Sequence, residues 1–286
     1  MKRVVFLSGK GGTGKTTLAA VFASRVEGLA IVDADVDAAN LHLIFHPEIE
    51  ETGAYSGSKV AVRDDDRCTS CGRCREVCRF GAIDAEFAVD PLLCEGCGTC
   101  VTACPNDALR LVEQESGTWY VGRAARRPMI GAELHPGEEV SGKLVSVVKE
   151  KADDLAKRER IERIAIDGSP GIGCPVIAST TGTQAAVLVT EPSRSGLHDL
   201  ERILGVVRHF DVPAYLVINK ADLSELLAEE IEAFARREDL PMLGRIPYDE
   251  RVIDALRVGR SPADDPASPA GRAMNEAVAR LLETIG

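Results

Sequence analysis

The run Ser8-Gly9-Lys10-Gly11-Gly12-Thr13-Gly14-Lys15-Thr16-Thr17 sets glycine, lysine and hydroxyl in the spacing G-x-x-x-x-G-K-[ST]. Those residue types in that order can hold the phosphates of a nucleoside triphosphate. Glycines let successive backbone N–H groups turn inward around anionic oxygens. Lys15 can then reach the β- and γ-phosphates, and the Thr16 hydroxyl can ligate Mg²⁺. This chemistry needs a strand before the loop and a helix after it. Arg3-Val4-Val5-Phe6-Leu7 reads as a buried strand and Thr16 to Ala23 as the first turns of a helix, whose positive end adds to the anion site.

Carboxylates are the second ingredient, and strands must position them. Leu29-Ala30-Ile31-Val32-Asp33 reads as a second buried strand running into Asp33-Ala34-Asp35-Val36-Asp37-Ala38-Ala39-Asn40-Leu41. Strand, loop, helix and strand make a βαβ unit, so the sheet is expected to be parallel with right-handed crossovers. Acids at the end of such a strand lie beside the phosphate loop. Ile161 to Asp167 is another core strand that ends in an acid. Ala185–Val189, followed by Thr190-Glu191-Pro192, and Tyr215–Ile218, followed by Asn219-Lys220-Ala221-Asp222, complete the buried strands. Lys143 to Arg160 reads as a charged helix and Ala270 to Ile285 as an amphipathic one packed on the sheet.

Lys10 makes the loop more specific, since ordinary phosphate loops do not require a lysine after the first glycine. With it, Gly9 to Thr17 resembles the deviant loop of the MinD/ParA class, a family that includes the nitrogenase iron protein and the Mrp-type cluster carriers. The resemblance implies that Lys10 crosses a dimer interface to touch the nucleotide of a second copy. Asp33 to Leu41 resembles the switch I run D-x-D-x-x-x-x-N-L of that class. By that match Asp35 positions or activates the attacking water, Asn40 helps to sense the γ-phosphate and Asp33 lies nearer the Mg²⁺ shell; Asp37 is a rival for the water. Asp167-Gly168-Ser169-Pro170-Gly171 resembles the Walker B and switch II run D-x-x-P-G. In that run Asp167 holds a Mg²⁺-bound water and the Gly171 N–H contacts the γ-phosphate. Asn219-Lys220-Ala221-Asp222 has the N-K-x-D form with which many GTPases read guanine through the aspartate. In the MinD class the asparagine contacts adenine instead, and the match extends to Ile246-Pro247-Tyr248-Asp249. Asn219, Asp222, Pro247 and Asp249 are therefore the candidate base-side residues for ATP, with GTP as the alternative.

Eight of the nine cysteines fall between Cys68 and Cys104. Cys68-x-x-Cys71-x-x-Cys74-x-x-x-Cys78 and Cys94-x-x-Cys97-x-x-Cys100-x-x-x-Cys104-Pro105 have identical spacing, an internal repeat. The run is similar to that of bacterial ferredoxins, whose soft thiolates hold 4Fe–4S cubes. The resemblance assigns Cys68, Cys71, Cys74 and Cys104 to one cluster and Cys94, Cys97, Cys100 and Cys78 to the other. Arg79 stands where a proline usually follows the fourth cysteine. Zinc is the alternative metal for C-x-x-C pairs. Ala82-Ile83 and Ala108-Leu109 are expected as short strands closing each half. Cys174, seven residues after Asp167, matches the offset of a cluster cysteine in the nitrogenase iron protein, but the second cysteine of that pair has no counterpart. A small buried thiol beside Pro175 is the expectation.

The chain has 286 residues, 45% of them hydrophobic, and a net charge of −11 from 34 Lys and Arg against 45 Asp and Glu. That supports a real core and argues against non-specific nucleic-acid binding. Arg123, Arg126 and Arg127 read as a solvated basic loop. No apolar run is long enough to span a membrane, the terminal helix has too few Lys or Arg residues to lie on one, and no signal peptide precedes the first strand. A cytoplasmic protein is expected.

The fold expected is a doubly wound, largely parallel α/β sheet with an inserted small α+β ferredoxin-like domain. Its parts are 1–60 and 113–286 for the nucleotide domain and 61–112 for the insert. The segment from His46 to Asp66 reads as a connector with a short strand at Lys59–Val62. Glu113 to Gly142 reads as loop-rich around one strand at Trp119–Val121, and the role of Ser141-Gly142-Lys143 is not readable. The resemblance implies a Mg²⁺-dependent ATPase that dimerises with ATP and carries two 4Fe–4S clusters. Its work would be cluster assembly or delivery to a metalloprotein partner, or ATP-gated electron transfer. A MinD-like spatial organiser is the third possibility.

Overall fold

The computed structural model describes residues 1–138 and 142–286; Ser141 of the Ser-Gly-Lys run lies outside them. The chain divides into two compact units. The first comprises Met1–Thr52, Trp119–Glu133 and Val140–Gly286, and the second Gly53–Thr118 with Leu134–Glu139.

In chain order the elements are β1 (Lys2–Leu7), α1 (Lys15–Arg25), β2 (Leu29–Ala34), α2 (Leu41–Phe45), β3 (Glu48–Arg63), α3 (Arg73–Val77), α4 (Thr99–Ala103), β4 (Leu109–Ala124) and β5 (Arg127–Leu134). Then follow α5 (Gly142–Glu159), β6 (Arg163–Gly168), α6 (Cys174–Thr180), β7 (Ala185–Thr190), α7 (Arg194–His209), β8 (Ala214–Asn219), α8 (Glu225–Arg237), β9 (Met242–Ile246), α9 (Glu250–Arg257) and α10 (Pro269–Ile285).

The sheet has the order β3-β4-β5-β2-β6-β1-β7-β8-β9. From β5 to β9 every neighbouring pair is parallel. All six residues of β2 and of β7 are buried, as strands covered by helices on both faces require. Helix α1 buries Leu18, Ala19, Ala20, Val21, Phe22 and Ala23, and α10 packs Met274, Ala277, Val278 and Leu281 into the same core. Register then places the acids. Asp33 pairs across from Asp167, and Asp167 from Phe6, so both carboxylates reach the edge where β1 opens into the glycine loop.

Two segments differ from their sequence reading. The expected strands at Lys59–Val62 and Trp119–Val121 are present but belong to longer ones: most of the expected connector is the 16-residue strand β3, and Glu113 onward is the remainder of β4 followed by β5. A two-residue turn, Ala125-Arg126, joins β4 to β5, and both residues have positive φ, 47° and 70°. Such turns normally use Asn-Gly, so no turn signal marked this one. The chain enters the second unit within β3 and leaves it within β4.

The second unit has a small core of Ala61, Ile83, Cys100 and Leu109, filled out by Val77, Phe87, Val89 and further cysteines. Its helices α3 and α4 each start after a glycine of positive φ, Gly72 and Gly98. The short strand expected at Ala82-Ile83 is a single bridge from Ile83 to Val89, and Leu109 opens β4.

Candidate functional site

Gly14 ends the glycine loop and caps α1 with φ 91°, and a side chain there would strike the Asn219 amide at 2.2 Å. No acid occupies the first turn of α1, which leaves the positive helix end free for an anion. Asn219 is buried and its Nδ2 donates to the Thr13 carbonyl at 2.7 Å. The neighbouring Lys220 Nζ donates to the Gly12 carbonyl at 2.9 Å. The Asn-Lys pair at the end of β8 therefore fixes the loop's backbone from behind, a role its N-K-x-D pattern did not suggest. Thr13 Oγ1 is buried with no partner among the described residues. An orphaned hydroxyl inside a loop of exposed N–H groups fits a polar ligand.

Behind the loop lies a buried charge cluster. Lys15 Nζ is 2.6 Å from Asp167 Oδ1 and 3.5 Å from Asp35 Oδ2, and the Thr16 hydroxyl donates to Asp167 Oδ2 at 2.6 Å. Burial alone would depress the Lys15 pKa; Asp167 and Asp35 outweigh it and hold the ammonium above its ordinary value. Burial raises Asp35, opposed by Lys15. Asp33 is fully buried and accepts the N–H groups of Leu41 and Asp35, so it anchors both ends of the loop before α2. Asp37, the rival acid, is exposed. Three carboxylates therefore surround one lysine, and the Thr16 hydroxyl is bonded to one of them, Asp167.

Burial, and then the charge of Asp167, pushes the Asp33 carboxyl up to about 8. Over the range from the ordinary carboxylate pKa to that value the folded chain holds a proton that the unfolded chain has lost. The resulting stabilisation is full at acid pH and disappears as pH rises through about 8. Asp33→Asn should therefore flatten the fall in melting temperature of Mg²⁺-free, nucleotide-free protein between about pH 6 and about pH 9. An unchanged slope in thermal melts would place that proton elsewhere.

Lys10 turns outward to Glu191 at 2.7 Å and to the hydroxyls of Ser193 and Ser195 at 3.1 and 2.9 Å. Glu191 also takes Lys220 at 3.2 Å. Burial would raise the Glu191 pKa, but the two lysines hold it below the ordinary range. The sequence reading assigned Glu191, Ser193 and Ser195 no role, and nothing in their local pattern points to Lys10.

The other expected ligands are engaged elsewhere. The Gly171 N–H donates to the Ser8 carbonyl at 2.9 Å, so a phosphate contact from it requires that bond to open. Asn40 is exposed and its amide donates to Ala38 O at 2.6 Å. Asp222 Oδ1 accepts the Tyr248 N–H at 2.6 Å. Asp249 caps α9 through the Arg251 N–H and accepts the Ser268 hydroxyl, while Pro247 is half-buried beside it. Cys174 is exposed, against the expectation of a buried thiol, because it is the first residue of α6 and Pro175 and Val176 take the inward positions. A side chain at Gly142 would meet the Cys174 carbonyl at 2.8 Å, which accounts for glycine at the start of α5.

In the second unit the cysteines line two small cavities. Cys68, Cys71, Cys74 and Cys104 line the first, and Cys78, Cys94, Cys97 and Cys100 the second. All nine cysteines are free thiols. Burial raises the pKa of Cys74 and Cys100, whereas the hydrogen bond from the Thr99 hydroxyl at 3.4 Å lowers that of Cys97. The Ala61 and Ala108 N–H groups donate to the sulfurs of Cys94 and Cys104 at 3.5 and 3.3 Å. Among the described residues no three His, Cys, Asp or Glu side chains gather closely enough to hold a single metal ion. No described helix is long and apolar enough to cross a membrane.

Residues 4–262 match the CobQ/CobB/MinD/ParA nucleotide binding domain. An uncharacterised protein of Methanocaldococcus jannaschii is 36% identical over 228 residues, 78% of this chain and 80% of that protein. A stretch of 54 residues, 18% of this chain, is 44% identical to 13% of the polyferredoxin protein MvhB of Methanothermus fervidus. Among solved structures, the septum site-determining protein MinD of Pyrococcus horikoshii, complexed with Mg-ADP, has a TM-score of 0.57 at 18% identity, with 100% of this chain and 97% of that one covered. That likeness is one of fold.

Proposed function

The chain belongs to the CobQ/CobB/MinD/ParA nucleotide-binding family, and on that premise we propose that it is a Mg²⁺-dependent ATPase that retains two 4Fe–4S clusters for electron transfer. The observation that carries the reading is the division of eight cysteines into two cavities of four, each lined by three thiols of one run and the last of the other. Similarity of a short stretch to a polyferredoxin supports it. When bound, the clusters would supply one-electron exchange. The chain's own part is to hold them with thiolates, to shield Cys100 from water and to direct the N–H groups of Ala61 and Ala108 at sulfur.

Cluster delivery, the other role the resemblance implies, asks for ligands that let go. Here each run contributes to both cavities, so releasing one group disturbs the other. Retention, and with it electron transfer, is the stronger reading. On the nucleotide side Lys15 would hold the β- and γ-phosphates, Thr16, Asp33 and Asp167 the Mg²⁺ and its waters, and Asp35 the attacking water. ATP is favoured over GTP because Asp222, which would read guanine, already holds a backbone N–H. Lys10 would leave Glu191 when two ATP-loaded copies meet. Nine cysteines with no disulfide among them fit a reducing, cytoplasmic setting.

Protein prepared without oxygen should contain about eight irons per chain, as two four-iron clusters require, and should hydrolyse ATP in preference to GTP. Those irons should stay bound when apo-acceptor proteins are added. Zinc in place of iron, or ready transfer of iron to the acceptor, would overturn the reading.

A further inference from the structure

The internal repeat supplies its own control, because matched positions in its two halves share a backbone and differ in side chain. Before the first run, Asp64 Oδ1 accepts the Asp66 N–H at 3.1 Å and Asp64 O the Arg67 N–H at 3.3 Å. Before the second run, Asp90 Oδ1 accepts the Leu92 N–H at 2.9 Å and Asp90 O the Leu93 N–H at 3.3 Å. The turn is the same. One half presents Asp66 and Arg67; the other presents Leu92 and Leu93, which are 81% and 49% exposed. The rims of the cavities diverge in the same way. At the first, Asn106 donates to the Thr69 hydroxyl at 2.6 Å and both line the cavity. Phe80 and Glu95 hold the matched positions at the second, where Phe80 is 50% exposed.

Three matched positions have thus changed from polar to exposed apolar, all beside the second cavity. Solvation gives no reason for such a change, whereas an interaction surface does. The loop that bears Leu92 and Leu93 carries the exposed acids Asp90 and Glu95 and no base, and one exposed cation, Arg79, lies next to Phe80. Cys97 of the second cavity is itself exposed, as its matched Cys71 is at the first.

We propose that Phe80, Leu92 and Leu93, flanked by Asp90 and Glu95, form the docking surface for a one-electron carrier protein that presents an apolar patch ringed by lysine or arginine. This rests on the cluster reading above. One electron crosses from the reduced second site to the oxidised carrier, or back, with no bond or proton moved.

The test exchanges the second rim for the first on the full chain, Phe80→Asn with Leu92→Asp and Leu93→Arg. These residues already fit the same backbone in the other half. The probe is a basic cytochrome c, used zinc-substituted for binding by calorimetry and in its ferric form for electron transfer by stopped flow. Affinity and second-order rate should each fall about ten-fold or more, and the wild-type rate should fall with added salt. Oxidation by the small oxidant hydroxymethylferrocenium should change less than about two-fold, since its access needs no docking surface. Arg67→Leu, on the first rim, should leave cytochrome binding unchanged.

Unchanged affinity in an exchanged variant with full iron content overturns the proposal and leaves the cluster reading intact. So does a fall in the variant's native mass relative to wild type at equal concentration, which would make the patch a self-association face. Iron-free wild-type protein overturns both. If the exchanged variant alone loses iron, Leu92→Ser carries the same comparison.

Discussion

Lys15→Ala should abolish nucleotide binding and turnover, a loss on the order of 10³-fold, or about 4 kcal/mol in the barrier. Asp35 and Asp167 share the Lys15 ammonium in the buried cluster. Its removal leaves Asp35 and Asp167 together without a counter-charge. Breaking a buried pair from one side costs about 3–5 kcal/mol, so the variant should also melt earlier at neutral pH. The two effects separate in the double variant Lys15→Ala with Asp167→Asn. Removing one carboxylate should restore part of the stability and none of the binding. Calorimetric titration with Mg-ATP and thermal melts of the three proteins decide it. A Lys15→Ala protein that binds Mg-ATP as wild type does would remove the loop from the phosphate site altogether.

That cluster was readable because its carboxylates sit at strand ends and Lys15 opens the helix that follows the glycine loop after β1. Val4 to Leu7, Leu29 to Asp33 and Ile164 to Asp167 are unbroken apolar runs that stop at a functional residue, and in a parallel sheet those stops line up along one edge. The partners of Lys10 were not readable, since Glu191, Ser193 and Ser195 meet it only through tertiary packing. Only Lys59–Val62 of strand β3 was anticipated, for a different reason. Its residues are exposed on both faces over most of their length, so Glu-Glu-Thr-Gly-Ala-Tyr-Ser-Gly-Ser shows no alternation to detect. Exposure of Cys174 also escaped, because a lone cysteine before a proline carries no sign of which way the first turn of α6 faces.

Removing iron should unfold the second unit and leave the first in place. The reason is the composition of its core. Ala61, Ile83, Cys100 and Leu109 are its buried cluster, and Cys74, Cys78, Cys94, Cys104 and Val77 are among the partly buried residues that pack against it. A unit of this size draws only about 3–5 kcal/mol from an apolar core even when that core is well filled. Here much of the filling is sulfur facing two cavities, so the bound groups would supply the cohesion that side chains do not. The first unit has no such dependence, with Phe6, Phe22, Leu29, Ile31 and Met129 fully buried in a continuous core. Chelation under reducing conditions should therefore open Gly53–Thr118 to protease while the melting transition of the first unit stays within a degree or two of holo-protein. Cys100→Ser should act like chelation on both cavities, because each run of cysteines serves both. Iron analysis alongside limited proteolysis reads the result. An iron-free chain whose second unit resists protease as well as the loaded one would mean that the cysteines are dispensable to its fold, and the case for resident clusters would lose its physical basis.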